Sequence, residues 1–280
     1  MSAFTALVLF ILVKTFLFDL VQVNNKDMQE TYRYGDVLLI KKALTSYHVN
    51  EVLYFEYPVK DSAEIKKTFL FQRIKGIPGD TIEIVNKIVF ANGNQIEEDS
   101  AVKMNYFIET GHKPLDSLFK VRYHLTEGGE ISNDFDYSYS LTKAQSLLLG
   151  QDSAIKKVEL KTEKKDSFDD TCFPYSSQYS WNSDYYGKIY IPKKNDTLRL
   201  DTTNIRIYAS VIRDEKNTLE IKGDSIFISG VPSQVYVAQQ NYFFVLGDNR
   251  DNANDSRSWG FLSEKYIIGK VVCRIKKGKK

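Results

Sequence analysis

Residues Gly247–Phe261, GDNRDNANDSRSWGF, carry the densest polar signal in the chain and follow an apolar run, Tyr242-Phe243-Phe244-Val245-Leu246. Consecutive apolar residues bounded by turn residues read as a buried strand, so a strand feeding a turn is expected here. What exceeds a simple turn is the mixture of Asp248, Arg250, Asp251, Asp255 and Arg257. Carboxylates and guanidiniums this close form fork-type ion pairs that hold a loop rigid. The stretch ends in Trp259-Gly260-Phe261, whose rings need a core. A structured functional loop is the reading; a solvated surface loop is the bland alternative.

Length and charge bound the rest. A chain of 280 residues can bury a good core and hold one large or two modest domains. The net charge of +2 gives no electrostatic footprint for nucleic acid. Tyr and Phe are abundant, which suits strands. Cys172 and Cys273 are far apart and make neither a zinc pattern nor a disulfide framework. No metal site and no cofactor are expected.

At the N-terminus, Ala3 to Val13 is an apolar run, and Thr15 to Val23 is apolar apart from Asp19 and Gln22. With Lys14 between them, the stretch has about the ~20 residues that a membrane helix needs. It lacks a basic leader and a small-residue cleavage site, so residues 1–22 are expected to be a retained single-pass anchor. A buried core helix is the alternative. No Lys or Arg precedes Lys14, while Lys26 and Arg33 follow the span, which by charge alone would put the body in the cytoplasm.

Short strands come next. Gly35-Asp36-Val37-Leu38-Leu39-Ile40 reads as a turn feeding a strand, and Glu51–Pro58 as a strand closed by its proline. Phe69–Val85 holds two strands split by Gly76–Asp80. Ile88–Phe90 runs into Asn92-Gly93, the strong hairpin cue. The pattern predicts a mainly β fold. Between about Gln95 and Gln239 the signals weaken. A short helix over Leu141–Gly150 is expected there, with strand or helix elements at Trp181–Pro192 and Ile205–Val211. The tail Arg274–Lys280 is strongly basic and reads as a solvated, disordered end, or else as attracted to anionic headgroups.

The motif GDNRDNxxDSRxWGF closely resembles the C-terminal signature of type I signal peptidases, membrane-bound endopeptidases with a serine/lysine dyad. RIKGIPGD (Arg73–Asp80) resembles the family's central motif, and GDVLLI with EVLYFEYP its second region. The apolar span running into VNNKDM sits where the family has its anchor and nucleophile motif. The stretch Tyr186–Lys194 resembles the insert of Bacteroidota signal peptidases. The resemblance implies a β core split in sequence (23–94 and 238–274), an inserted β-rich domain at 95–237, an anchor at 1–22 and a basic tail at 275–280. It also implies an inner-membrane location with the body on the extracytoplasmic side, against the flanking charges.

A serine/lysine peptidase needs a hydroxyl nucleophile, a neutral lysine amine to take its proton, and donors for the oxyanion. By the resemblance, the nucleophile position before Met28 is Asp27, the base position before Arg73 is Gln72, and the lysine-orienting hydroxyl position is Ala253. The oxyanion-region position is Asn25, whose amide can still donate. Lys75 does not substitute for the base, because strand residues three apart point to opposite faces. Three interacting positions changed together point to a lost function. Arg73, Asp248, Asp255 and Arg257 are assigned to a structural ion-pair scaffold, and Phe71 and Met28 to the peptide groove, with Phe71 as ordinary core the alternative.

Three readings follow. The first is a non-catalytic homologue that binds exported signal-peptide segments, or an active signal peptidase paralogue, at the bilayer surface. The second is a working signal peptidase with an unusual dyad, including an acid mechanism pairing Asp27 with Asp248 or Asp255. The third is a structural membrane-surface protein.

Overall fold

A computed structural model describes residues 17–42, 46–60, 65–111 and 113–278. Alternation sets the first pairing. In Val37–Lys41 (β2) Leu38 and Ile40 are fully buried while their neighbours are half-buried, the period of a strand with one face inward. Its antiparallel partner is Phe18–Gln22 (β1), in the register Leu20↔Leu39. This corrects the end of the expected membrane helix: residues 18–22 belong to the sheet, where backbone pairing to β2 replaces helical bonds. Residues 1–16 of that anchor lie outside the described residues. Among the described residues no helix is long and apolar enough to cross a membrane.

Val52–Lys60 (β3) and Ile65–Gly76 (β4) form a long antiparallel hairpin, from Val52↔Arg73 to Lys60↔Ile65. β3 is not closed by Pro58, which stays in the ladder opposite Lys67. The sheet runs β1, β2, Ile267–Lys276, β3, β4, Tyr242–Leu246 and Leu262–Ser263. Tyr242–Leu246 is buried at every position, as its unbroken apolar sequence requires of a strand covered on both faces. One face of the sheet packs Leu53, Phe55, Leu70 and Ile74 against Phe243, Val245 and Trp259. The other packs Phe71 and Val52 against Val23, Met28, Leu38 and Ile40.

The basic end is not a loose tail. Ile267–Lys276 is a strand paired with β2, and Asp36 takes both the Arg274 guanidinium (3.0 Å) and the Gly278 amide (2.7 Å). Pairing to the sheet and one buried carboxylate supply the order that composition alone does not show. Residues 279–280 lie outside the described residues.

A second cluster joins Ile82, Ile84, Val89 and Tyr186 to the helix Ile205–Asp214 and to Tyr242, Phe244 and Phe261. The hairpin after Ile88–Ala91 turns on Asn92 and Gly93, both with positive φ (53° and 80°), as an Asn-Gly turn of the primed type demands. A four-stranded sheet of Lys157–Leu160, Lys103–Glu109, Tyr137–Thr142 and Gly128–Glu130 has its own core. The helix Lys143–Leu149 starts at a complete Thr142/Gln145 capping box. Both cysteines are free thiols, Cys172 buried and Cys273 exposed.

Buried ions tie these parts together. Glu98 receives both guanidinium nitrogens of Arg250 (3.0 and 3.1 Å) and the Lys75 ammonium (2.6 Å). Burial works to raise the Glu98 pKa, but the two cations outweigh it and hold the carboxyl at about 2. Lys75 has no exposed side-chain surface, and its other partner is Asn50. Glu98→Gln leaves Arg250 and Lys75 without their anion and is expected to cost roughly 3 kcal/mol of stability at pH 7. A depressed acid contributes stability above its unfolded pKa and loses it as pH falls through the folded value. The deficit should therefore shrink as pH drops from about 4.5 towards 2 in urea titrations.

Candidate functional site

The loop after Leu246 is fixed by two forks. Arg73, on β4, donates Nε to Asp248 Oδ1 (2.8 Å) and Nη2 to Oδ2 (2.5 Å), with Thr31 Oγ1 on the same Oδ2. Asp255 receives Arg257 Nε and Nη2 at 2.9 Å each, and its Oδ2 also takes the Gly247 amide at 3.1 Å. Asp255 additionally caps the short helix Ser256–Trp259 by accepting the Arg257 amide. Arg73 thus pairs with Asp248 and, at 3.4 Å, with Asp99, and Arg257 pairs with Asp255.

These pairs press the loop against the segment before Met28. A Cβ on Gly247 would sit 2.3 Å from the Ala253 Cβ and 2.8 Å from the Asp27 carbonyl, so only glycine permits this approach. The Asp27 carbonyl in turn accepts the Asn249 amide at 2.8 Å. Asn249 is gripped from the other sheet: Ser140 Oγ donates to its Oδ1 (3.0 Å), while its Nδ2 donates to Glu127. Asn249 and Glu127 were missed in the sequence, Glu127 because no local motif surrounds it.

Asp27 and Gln72, 45 positions apart, meet here. Gln72 is fully buried and donates Nε2 to Asp27 Oδ2 (3.3 Å) and to the Asn254 carbonyl (2.8 Å). Its Oε1, like Asn25 Oδ1, is buried without a partner among the described residues. Asn25 Nδ2 reaches the Phe69 carbonyl at 3.5 Å. Ala253 closes the site beside Gly247 and offers no hydroxyl. Phe71 and Met28, expected to line a groove, are instead fully buried in one core cluster, because Phe71 lies on the sheet face that also carries Leu38 and Ile40 and Met28 packs against that face. Lys75 is held by Glu98 and Asn50, away from Gln72.

Burial raises the Asp27 carboxyl to a pKa of about 6; the Gln72 hydrogen bond opposes the rise and the negative charge of Asp255 adds to it. A proton shared between two acids is not built here. Asp248 is closed by Arg73 and Thr31, and Asp255 by Arg257 and the Gly247 amide.

The family model for signal peptidase, peptidase S26, matches residues 1–153 and 187–276. The chain belongs to the signal peptidase family of peptidase S26. It is 24% identical over 275 residues to signal peptidase I of Buchnera aphidicola subsp. Schizaphis graminum, covering 97% of this chain and 72% of the relative. To signal peptidase I of Haemophilus influenzae it is 27% identical over 281 residues, covering 97% and 67%. A short match to signal peptidase I of Aquifex aeolicus reaches 48% identity over 44 residues, 16% of this chain and 17% of the relative.

The Asp27 pKa generates a test of the site itself. A raised acid pKa means that the ionised form is penalised in the folded state above about pH 6, and that the penalty vanishes as pH falls below the unfolded value of 3.8. Asp27→Asn should raise the unfolding free energy by about 2 kcal/mol at pH 8 and change it little at pH 4. Chemical denaturation at the two pH values checks both halves.

Proposed function

We propose that this member of the signal peptidase family holds extended segments of exported proteins at a membrane surface without cutting them. The observation that carries the reading is the Asp27–Gln72 hydrogen bond at the positions where the resemblance expects a hydroxyl and an amine. A glutamine amide has no titratable nitrogen to take a proton, and a carboxylate at the nucleophile position repels a developing oxyanion.

The binding half rests on an open sheet edge. Among the described residues, β3 covers one edge of β4 from Ile65 to Arg73, whereas Tyr242–Leu246 covers the other only from Arg73 to Gly76. The Phe69 carbonyl points to the uncovered part, where Asn25 reaches it. In an antiparallel ladder the amide and carbonyl of one residue point the same way, so Phe69 and Phe71 both direct their backbone to that edge, Phe69 half-buried and Phe71 fully buried. An extended peptide can add to such an edge as a strand. The unpartnered acceptors Asn25 Oδ1 and Gln72 Oε1 lie beside it, and peptide N–H donors would satisfy them.

The apolar N-terminal stretch supports a single-pass anchor, and family membership supports an inner-membrane location with the body on the extracytoplasmic side. The partners are then the bilayer and either signal-peptide-bearing segments or an active peptidase paralogue. A second reading, a working endopeptidase in which Asp27 activates water, is favoured by one observation: the carboxylate has a pKa of about 6 and is ionised at neutral pH, as a base must be.

Cleavage decides between them. The folded chain in detergent is incubated with a signal-peptide-bearing precursor, beside the triple variant Asp27→Ser, Gln72→Lys, Ala253→Ser, and products are weighed by mass spectrometry. The natural chain should be at least about a thousandfold slower than the variant, given what losing a nucleophile costs serine proteases. Cleavage by the natural chain at the small-residue site would establish the second reading instead.

A further inference from the structure

Beside Gln72, across the Asn254 carbonyl, lies a cavity of about 680 Å³. That carbonyl accepts Gln72 Nε2 on one side and Trp259 Nε1 (3.1 Å) on the other, so the cavity and the Asp27 site share a wall. Tyr57, Tyr175, Trp259 and Tyr266 make the cavity aromatic, with the Tyr57 and Trp259 rings 4.6 Å apart. The helix Ile205–Asp214 closes the opposite side with Ser210, Arg213 and Asp214.

The charges in this wall are unequal. Asp214 is already matched: Tyr266 donates to it at 2.8 Å, Tyr242 at 3.2 Å, and the Lys265 ammonium lies 2.8 Å away. Arg213 is exposed and has no carboxylate within ion-pair distance among the described residues. The net demand of the cavity is therefore for an anion at the rim and a flat apolar body inside. Its volume exceeds one ring and matches pockets that take small ligands or short peptide stretches.

We propose that this cavity is a second subsite for the extended peptide on β4, taking an aromatic side chain together with a neighbouring carboxylate that pairs with Arg213. The proposal rests on the peptide-binding reading and adds a sequence preference to it. The ring stacks among Trp259 and the tyrosines, where offset and edge contacts add to burial. The carboxylate meets the planar guanidinium at the rim, where the pair selects more than it tightens.

The test is peptide binding to the full chain in detergent, read by fluorescence anisotropy. A labelled parent peptide carries a small-residue extended core, and a Phe-Glu pair is moved through each position flanking that core. At one register the pair should tighten binding by roughly tenfold or more, the scale of burying one ring. Phe-Lys at that register should bind about 3- to 5-fold more weakly than Phe-Glu, a rim-pair effect. Arg213→Glu, an exposed change that leaves the fold intact, should invert this order. Ser210→Trp, which fills the cavity, should remove the Phe-Glu gain. Parent binding with no gain at any register, or a charge preference that Arg213→Glu fails to move, overturns the subsite and leaves the β4 reading standing. No binding of the parent or of any derivative overturns the β4 reading and the subsite with it.

Discussion

The Arg73–Asp248 fork is the joint on which the site depends. Arg73 belongs to β4 and Asp248 to the loop after Tyr242–Leu246, so one ion pair locks the register between two strands and the loop that leaves them. Both side chains are almost wholly buried. A charge stripped of its partner in such a place costs roughly 3–5 kcal/mol, far more than a surface pair is worth. The same aspartate draws in Thr31 through its side chain and Lys103 through its carbonyl. Three distant stretches of chain thus converge on one residue, two of them on its carboxylate. With the loop fixed, the Asn249 amide can hold the Asp27 carbonyl and the Asn254 carbonyl can hold Gln72.

The arrangement separates scaffold from chemistry. Asp255–Arg257, Gly247 and the short capped helix need only geometry, and that geometry is intact. The groups that would do proton transfer are another matter. Gln72 spends both amide hydrogens as a donor to Asp27 and Asn254, a contact that needs no titration. Lys75, the nearest lysine in sequence, is committed to Glu98 on the opposite face of the strand. The remaining asset is backbone: among the described residues, a stretch of β4 lacks a strand on one edge, beside two buried acceptors without donors.

Much of this was legible in the sequence because local patterns encode it. The apolar run Tyr242–Leu246, the Asn92-Gly93 turn and the alternation in Val37–Lys41 each specify their own element. Of the charged loop's ion pairs among the described residues, only Asp255–Arg257 is local; Asp248, Arg250 and Asp251 pair instead with the distant Arg73, Glu98 and Lys87. What stayed hidden depends on distant partners. Phe18–Gln22 looks like the end of an apolar span until β2 pairs with it, and Arg274–Gly278 looks like a loose tail until Asp36 captures it. Met28 and Phe71 were assigned to a groove by position along the chain, but burial is set by which face of the sheet they share. The Glu127–Asn249 contact, like the cavity beside Trp259, joins segments that no window of sequence brings together.

The central claim is that the uncovered edge of β4 receives an extended peptide. Hydrogen–deuterium exchange of the full chain, with and without a saturating signal-peptide segment, reads that edge directly. The account predicts slowed exchange at the Phe69 and Phe71 amides, where peptide backbone bonds would form, and unchanged exchange in Val37–Lys41, whose two edges are already paired. Bound peptide with identical exchange at Phe69 and Phe71 would contradict it.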